Sequence, residues 1–151
     1  MADELTFQIQ ASFEAIQAAN ETASRWLEDR NAPPKVQYLA NLAIEELVTN
    51  CVKYGYEDSV AHTIDIKLQI LGDELALTVT DDGHPFNPLD LPAPDTQLPV
   101  DERPIGRLGI HLVRQMSDHM DYVRAGGRNH VTVRKSMVDS TNRPASRHDG
   151  S

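Results

Sequence analysis

Residues 35–54 read KVQYLANLAIEELVTNCVKY, and Val36, Ala40, Ala43, Leu47, Cys51 and Tyr54 recur at intervals of three and four. At about 100° per residue these six draw a single apolar stripe, so the stretch predicts a long amphipathic helix. Asn31 and the pair Pro33-Pro34 end whatever precedes it, and Pro34 suits a first helical position because its missing N–H would have no partner there. Two polar residues stand on the rim of the stripe. Glu46 and Asn50 lie one turn apart along the axis and about 40° apart around it, beside Leu47, whereas Glu45 falls on the far side. A carboxylate and an amide stacked in this way can point together into a cleft. Their plainer reading is two polar residues bordering a core.

Upstream, Leu5, Phe7 and Ile9 alternate with polar residues as in a half-buried strand. Ser12 stands where an N-cap would, and Phe13, Ile16, Ala19, Ala23 and Trp26/Leu27 follow at helical spacing. Downstream, Ile64, Ile66, Leu68 and Ile70 form one alternating run and Leu75, Leu77 and Val79 another, joined by Leu71-Gly72-Asp73-Glu74 as a hairpin. The second run leads into Asp81-Asp82-Gly83. An acidic residue at a strand end, followed by glycine, puts a fixed acceptor where backbone can approach a ligand; an ordinary Asp-Gly turn reads the same way.

From His84 to Ile105 the composition changes, because six of the nine prolines fall there (Pro85, Pro88, Pro92, Pro94, Pro99 and Pro104). That density predicts a long loop rather than helix or sheet. Gly106-Arg107-Leu108-Gly109 then opens a helical pattern of Ile110, Val113, Met116 and Met120. Two glycines at a helix start leave free N–H groups and the positive end of the dipole, an arrangement that suits phosphate and equally suits a hinge. A last hairpin is expected from Met120–Ala125 and His130–Met137, turned by residues 126–129, with a polar, disordered tail over 138–151. The order β-α-α-β-β-loop-α-β-β predicts an α+β fold, a two-layer sandwich of three helices on a mainly antiparallel sheet.

At 151 residues the chain has length for one domain, here 1–137. Fourteen basic against 23 acidic side chains give a net charge of −9, which argues against a nucleic-acid surface or a polybasic membrane patch. Cys51 is the one cysteine, so no internal disulfide forms, and on the stripe it reads as core. Asp3 and Glu4 stand where a signal peptide carries basic residues, and no window has the apolar length of a membrane span, so a cytoplasmic location is expected. The histidines show no metal-ligand spacing.

In combination and order, Glu46-x-x-x-Asn50, Asp81-x-Gly83, a long loop and Gly106-x-x-Gly109 resemble the Bergerat-type ATP-binding fold shared by gyrase, a heat-shock chaperone, histidine kinases and MutL. The stretches EELVTNCVKYGY (45–56), VTDDGHPFNP (79–88) and PIGRLGIHLV (104–113) look most like the anti-sigma-factor serine/threonine kinases. This resemblance covers residues 5–135 and implies the following roles. Glu46 would be the general base, and Asn50 would take the Mg²⁺ that bridges the ATP phosphates. Asp81 would accept from the adenine amino group, with Gly83 letting the base lie close. Gly106, Leu108 and Gly109 would wrap the phosphates with main-chain N–H groups, under a lid formed by residues 84–105. The implied partners are a sigma factor and a small antagonist protein phosphorylated on serine or threonine, and homodimerisation is a habit of the family. Many relatives carry Asp-x-Gly-x-Gly; here Pro85 replaces the second glycine. An ATP-binding switch without transfer activity is the rival reading. A detached histidine-kinase catalytic domain is a weaker one, because the first helix offers no histidine.

Overall fold

The computed structural model describes residues 3–56, 61–91 and 107–138. Five strands, β1 (Asp3–Gln10), β2 (Thr63–Leu71), β3 (Glu74–Asp81), β4 (His119–Ala125) and β5 (Arg128–Ser136), form one sheet in the order β1-β2-β3-β5-β4. Every pairing in it is antiparallel. Three helices, α1 (Ala15–Asp29), α2 (Pro34–Tyr54) and α3 (Arg107–Met116), complete the expected order. None of the described helices is long and apolar enough to cross a membrane.

Alternation in the strands decides which side of the sheet the helices cover. Ile64, Ile66 and Leu68 on β2, Leu75, Leu77 and Val79 on β3, and Val131 and Val133 on β5 share one face and are buried. They pack with Ala43, Ile44, Leu47 and Val48 of α2, Ala23 and Leu27 of α1, and Ile110 and Val113 of α3 in a single core. The opposite face carries Lys67, Thr78 and Thr132 in register across β2, β3 and β5, and the Thr78 and Thr132 hydroxyls bond to each other at 3.0 Å. A fully buried leucine or isoleucine contributes about 1.5–3 kcal/mol over an exposed one, so this two-layer arrangement follows from the alternation.

Local chemistry sets the boundaries. Helix α1 begins at Ala15, three residues after the expected cap; Glu14 occupies the N-cap without a side-chain bond, and Ser12 instead closes a turn through its carbonyl to the Ala15 N–H (3.3 Å). At the other end Asn31 takes φ 57, with Ala32 N–H on the Leu27 carbonyl and Asn31 N–H on that of Glu28, the paired bonds of a Schellman stop. Helix α2 starts at Pro34 as expected. The β4–β5 turn is tighter than the sequence suggested. Gly126 and Gly127, at φ 62 and 74, make a two-residue turn, as a type I′ hairpin requires. Arg128 and Asn129 therefore belong to the strand, and Asn129 lies opposite Asp81.

The start of the proline-rich segment is tied to the body. His84 N–H reaches the Gly55 carbonyl at 2.8 Å, Asn87 caps a short 3-10 turn at Pro88–Asp90, and Pro88 is buried. The rest of the expected lid (92–105), Gly106 and the tail beyond Val138 lie outside the described residues.

Candidate functional site

The C-terminal half of α2, the end of β3, the start of β5 and residues 84–88 enclose a cavity. Leu47, Asn50, Cys51, Val79, Asp81 and Asn129 are among the residues lining it, and His84, Phe86 and Pro88 form its outer wall. Its free volume is about 20 Å³, little more than one water occupies. Phe86 stacks on Tyr54 with centroids 5.9 Å apart and an interplanar angle of 28°, which holds that wall in place.

Asn50 is 3% exposed, and neither its Oδ1 nor its Nδ2 has a hydrogen-bond partner among the described residues. Burying an unpaired amide costs about 1–3 kcal/mol, so native folds retain one where something else will bind it. Its oxygen is the hard, neutral donor that Mg²⁺ takes when phosphates and waters supply the other ligands. The residues present fit that ion.

One turn earlier on α2, Glu46 is half-buried, and Glu45 is exposed, as the helical geometry required. Burial is the first cause that holds the Glu46 carboxyl above its ordinary range; the neighbouring Glu45 charge adds to this and Lys53 opposes it. The carboxyl lies against Gly109 in the first turn of α3, and a Cβ added at Gly109 would overlap the Glu46 side chain. A larger residue there would require the Glu46 side chain to move. The first backbone N–H groups of α3, at Arg107 to Gly109, have no intrahelical acceptors, and Gly109 among them lies against this carboxylate.

Asp81, 6% exposed, ends β3 on the core side. Its Oδ1 accepts from Gly83 N–H at 2.8 Å and from Asn129 Nδ2 at 3.1 Å, and its Oδ2 accepts from the Cys51 thiol at 3.2 Å. Cys51 is thus more than core packing. Burial, and then the Asp81 charge, push its thiol well above the usual range, so it remains a protonated, unreactive donor. Gly83 makes a close approach of a different kind from the one expected: a Cβ there would sit 2.6 Å from the Gly55 carbonyl oxygen. The Gly55–Gly83 contact joins the end of α2 to the end of β3.

The structure therefore brings Asn50 and Asp81 to one cavity; Gly83 is bonded to Asp81 but lines a neighbouring pocket, and Glu46 and Gly109 lie against each other outside the residues that line the cavity. Leu108 lies in the first turn of α3, and Gly106 is outside the described residues. The sequence reading did not settle on Asn129, which is 3% exposed and bonds to Asp81. A signal for it existed. Asn129, Val131 and Val133 alternate on the core face, so a polar residue in that series must meet polar partners.

Comparisons with known proteins bear on the family and the fold. A stretch of 99 residues is 23% identical to the serine/threonine-protein kinase BtrW of Bordetella bronchiseptica, covering 66% of this chain and 70% of that protein. The fold matches a solved structure of the RsbU and RsbW domains of Rv1364c from Mycobacterium tuberculosis, with a TM-score of 0.61 and 17% identity over 89% of this chain. This chain spans 32% of that larger one. The model of the histidine kinase-like ATPase domain matches residues 9–135, which takes in every described element except the N-terminal part of β1 and the last residue of β5. By that match, and with its two-layer fold, the chain belongs to the histidine kinase-like ATPase domain family.

Proposed function

We propose that this protein is a cytoplasmic serine/threonine protein kinase and anti-sigma regulatory factor that uses Mg-ATP to phosphorylate a small antagonist protein. The observation that carries the reading is Asn50, a buried amide with no partner among the described residues, in a cavity that also holds a buried carboxylate. Asn50 Oδ1 would hold Mg²⁺, and main-chain N–H groups of Gly106, Leu108 and Gly109 would receive the phosphates at the start of α3. Asp81 would accept from the adenine amino group. Bound Mg²⁺ supplies positive charge to the phosphates, which a chain of net charge −9 otherwise lacks.

Glu46 would serve as the base. In the transfer step the partner's serine or threonine oxygen bonds to the γ-phosphorus, its proton passes to the Glu46 carboxylate, and the bond to ADP breaks. Burial raises the affinity of Glu46 for a proton, which moves it toward the working range of a general base. The kinase named among the relatives supports the transfer reading over a switch that only binds ATP.

The test is incubation with Mg²⁺, ATP labelled on its γ-phosphate and candidate antagonist proteins. Label on a serine or threonine of one partner is the expected outcome. Tight ATP binding with no label transferred to any such partner would instead favour the binding switch.

A further inference from the structure

Asp81 does not stand alone in its cavity. A chain of hydrogen bonds leads to it from the edge of the sheet: Tyr122 on β4 donates its hydroxyl to Asn129 Oδ1 at 2.6 Å, and Asn129 Nδ2 donates to Asp81 Oδ1 at 3.1 Å. Register makes the chain reach. Asn129 lies opposite Asp81 in the β3–β5 pairing, and Tyr122 lies diagonally across β4–β5, beside the Arg124–Asn129 pair. The orientation of the amide is determined by its donors. Phe86 N–H also donates to Asn129 Oδ1, at 3.3 Å, so two donors converge on that oxygen and the NH₂ group must face Asp81 and the His84 carbonyl.

The consequence falls on the two oxygens of Asp81. Oδ1 is committed to two strong donors, the Gly83 and Asn129 N–H groups. Among the described residues Oδ2 receives only the weak S–H donor of Cys51. The network thus holds the carboxylate in one rotamer and leaves Oδ2 as the oxygen with capacity for a new donor. We infer that Tyr122 and Asn129 are positioning residues for base selection, orienting Asp81 so that Oδ2 accepts from the exocyclic amino group of the nucleotide. This rests on the nucleotide binding proposed above. Because Asn129 also bonds the His84 carbonyl and the Phe86 N–H, the same side chain fastens the cavity wall that must shift to admit a base.

The test separates orientation from packing by using two nucleotides. ATP and purine riboside triphosphate, which lacks the 6-amino group, are bound to wild type, Tyr122→Phe and Asn129→Ala, with Tm recorded for each. A structural role would change both affinities together, because release of the wall acts on both ligands alike. A positioning role changes their ratio.

Wild type should prefer ATP by tenfold or more, the order expected of a hydrogen bond to a charged acceptor. Asn129→Ala should cut that preference roughly five- to tenfold, and Tyr122→Phe by a smaller factor in the same direction. Tyr122→Phe is nearly isosteric and decides alone if Asn129→Ala does not fold. An unchanged ratio in folded variants would overturn the inference. Equal wild-type affinity for both nucleotides would also overturn it while leaving nucleotide binding intact. Wild type binding neither would refute the nucleotide reading itself.

Discussion

Glu46→Gln separates chemistry from folding more cleanly than any other single change. The replacement keeps the side-chain length, the contact with Gly109 and the neighbouring Asn50, and it removes only the capacity to take a proton. Loss of a positioned base lowers transfer by roughly 10²–10⁴, which is about 2.7–5.4 kcal/mol of barrier. Stability should move the opposite way. Because burial and Glu45 raise the Glu46 pKa in the fold, the protonated form is favoured there. The stability this provides is full below the ordinary glutamate range and is lost as pH rises through the raised value. At neutral pH an ionised, half-buried Glu46 therefore weakens the fold. Glutamine removes that penalty, so Tm at neutral pH should be equal or higher, with the difference closing in acid. Wild-type transfer should likewise fall on the acid side with an apparent pKa above that of ordinary glutamate. The assay is single-turnover transfer from γ-labelled ATP, with thermal melts across pH and Glu45→Gln as the exposed control. Wild-type transfer rates in Glu46→Gln would refute the base assignment. A large loss of Tm would mean that the residue supports the fold.

Other substitutions probe the neighbouring contacts. Asp81→Asn replaces the acceptor of two N–H groups by an amide and should weaken ATP binding by roughly 1.5–3 kcal/mol; calorimetry giving equal affinities would remove Asp81 from the site. Gly109→Ala would force the Glu46 carboxyl to another rotamer, and a misplacement of about 1 Å lowers transfer on the order of 10²-fold, with ATP affinity changed little. Equal transfer rates would show that the contact with Gly109 does not position the carboxyl. Gly83→Ala places a Cβ against the Gly55 carbonyl, backbone that cannot yield, and should destabilise the fold by about 1–3 kcal/mol in urea titration; an unchanged midpoint would mean that the joint relaxes freely.

The parts of this fold that the sequence revealed are those governed by local periodicity. The stripe of α2 and the alternation of β2 and β3 each need only a few consecutive residues to be read, and the structure places them within a residue or two of the expected bounds. Glu46 and Asn50 were legible for the same reason, since their spacing lies on one helix. Asn129 was less so. Its bond to Asp81 depends on β3 pairing with β5 across 48 residues of sequence, and a register shift by one would have turned it to the opposite face. The contact of Gly109 was likewise hidden, because the glycine that suggests a phosphate loop also lies against a glutamate on another helix. Ser12 was a plausible cap on composition alone; the turn at Ser12 to Ile16 delays the helix, and no local signal distinguishes the two.

Asn50 bears the central claim most directly, through ATP binding measured with and without Mg²⁺ on wild type and Asn50→Ala. Wild type should bind ATP more tightly when Mg²⁺ is present. Asn50→Ala removes a buried amide that has no partner among the described residues, so its Tm should hold or rise while the Mg²⁺-dependent gain in affinity disappears. ATP affinity indifferent to Mg²⁺ in wild type, or a gain from Mg²⁺ that survives in Asn50→Ala, would contradict the account.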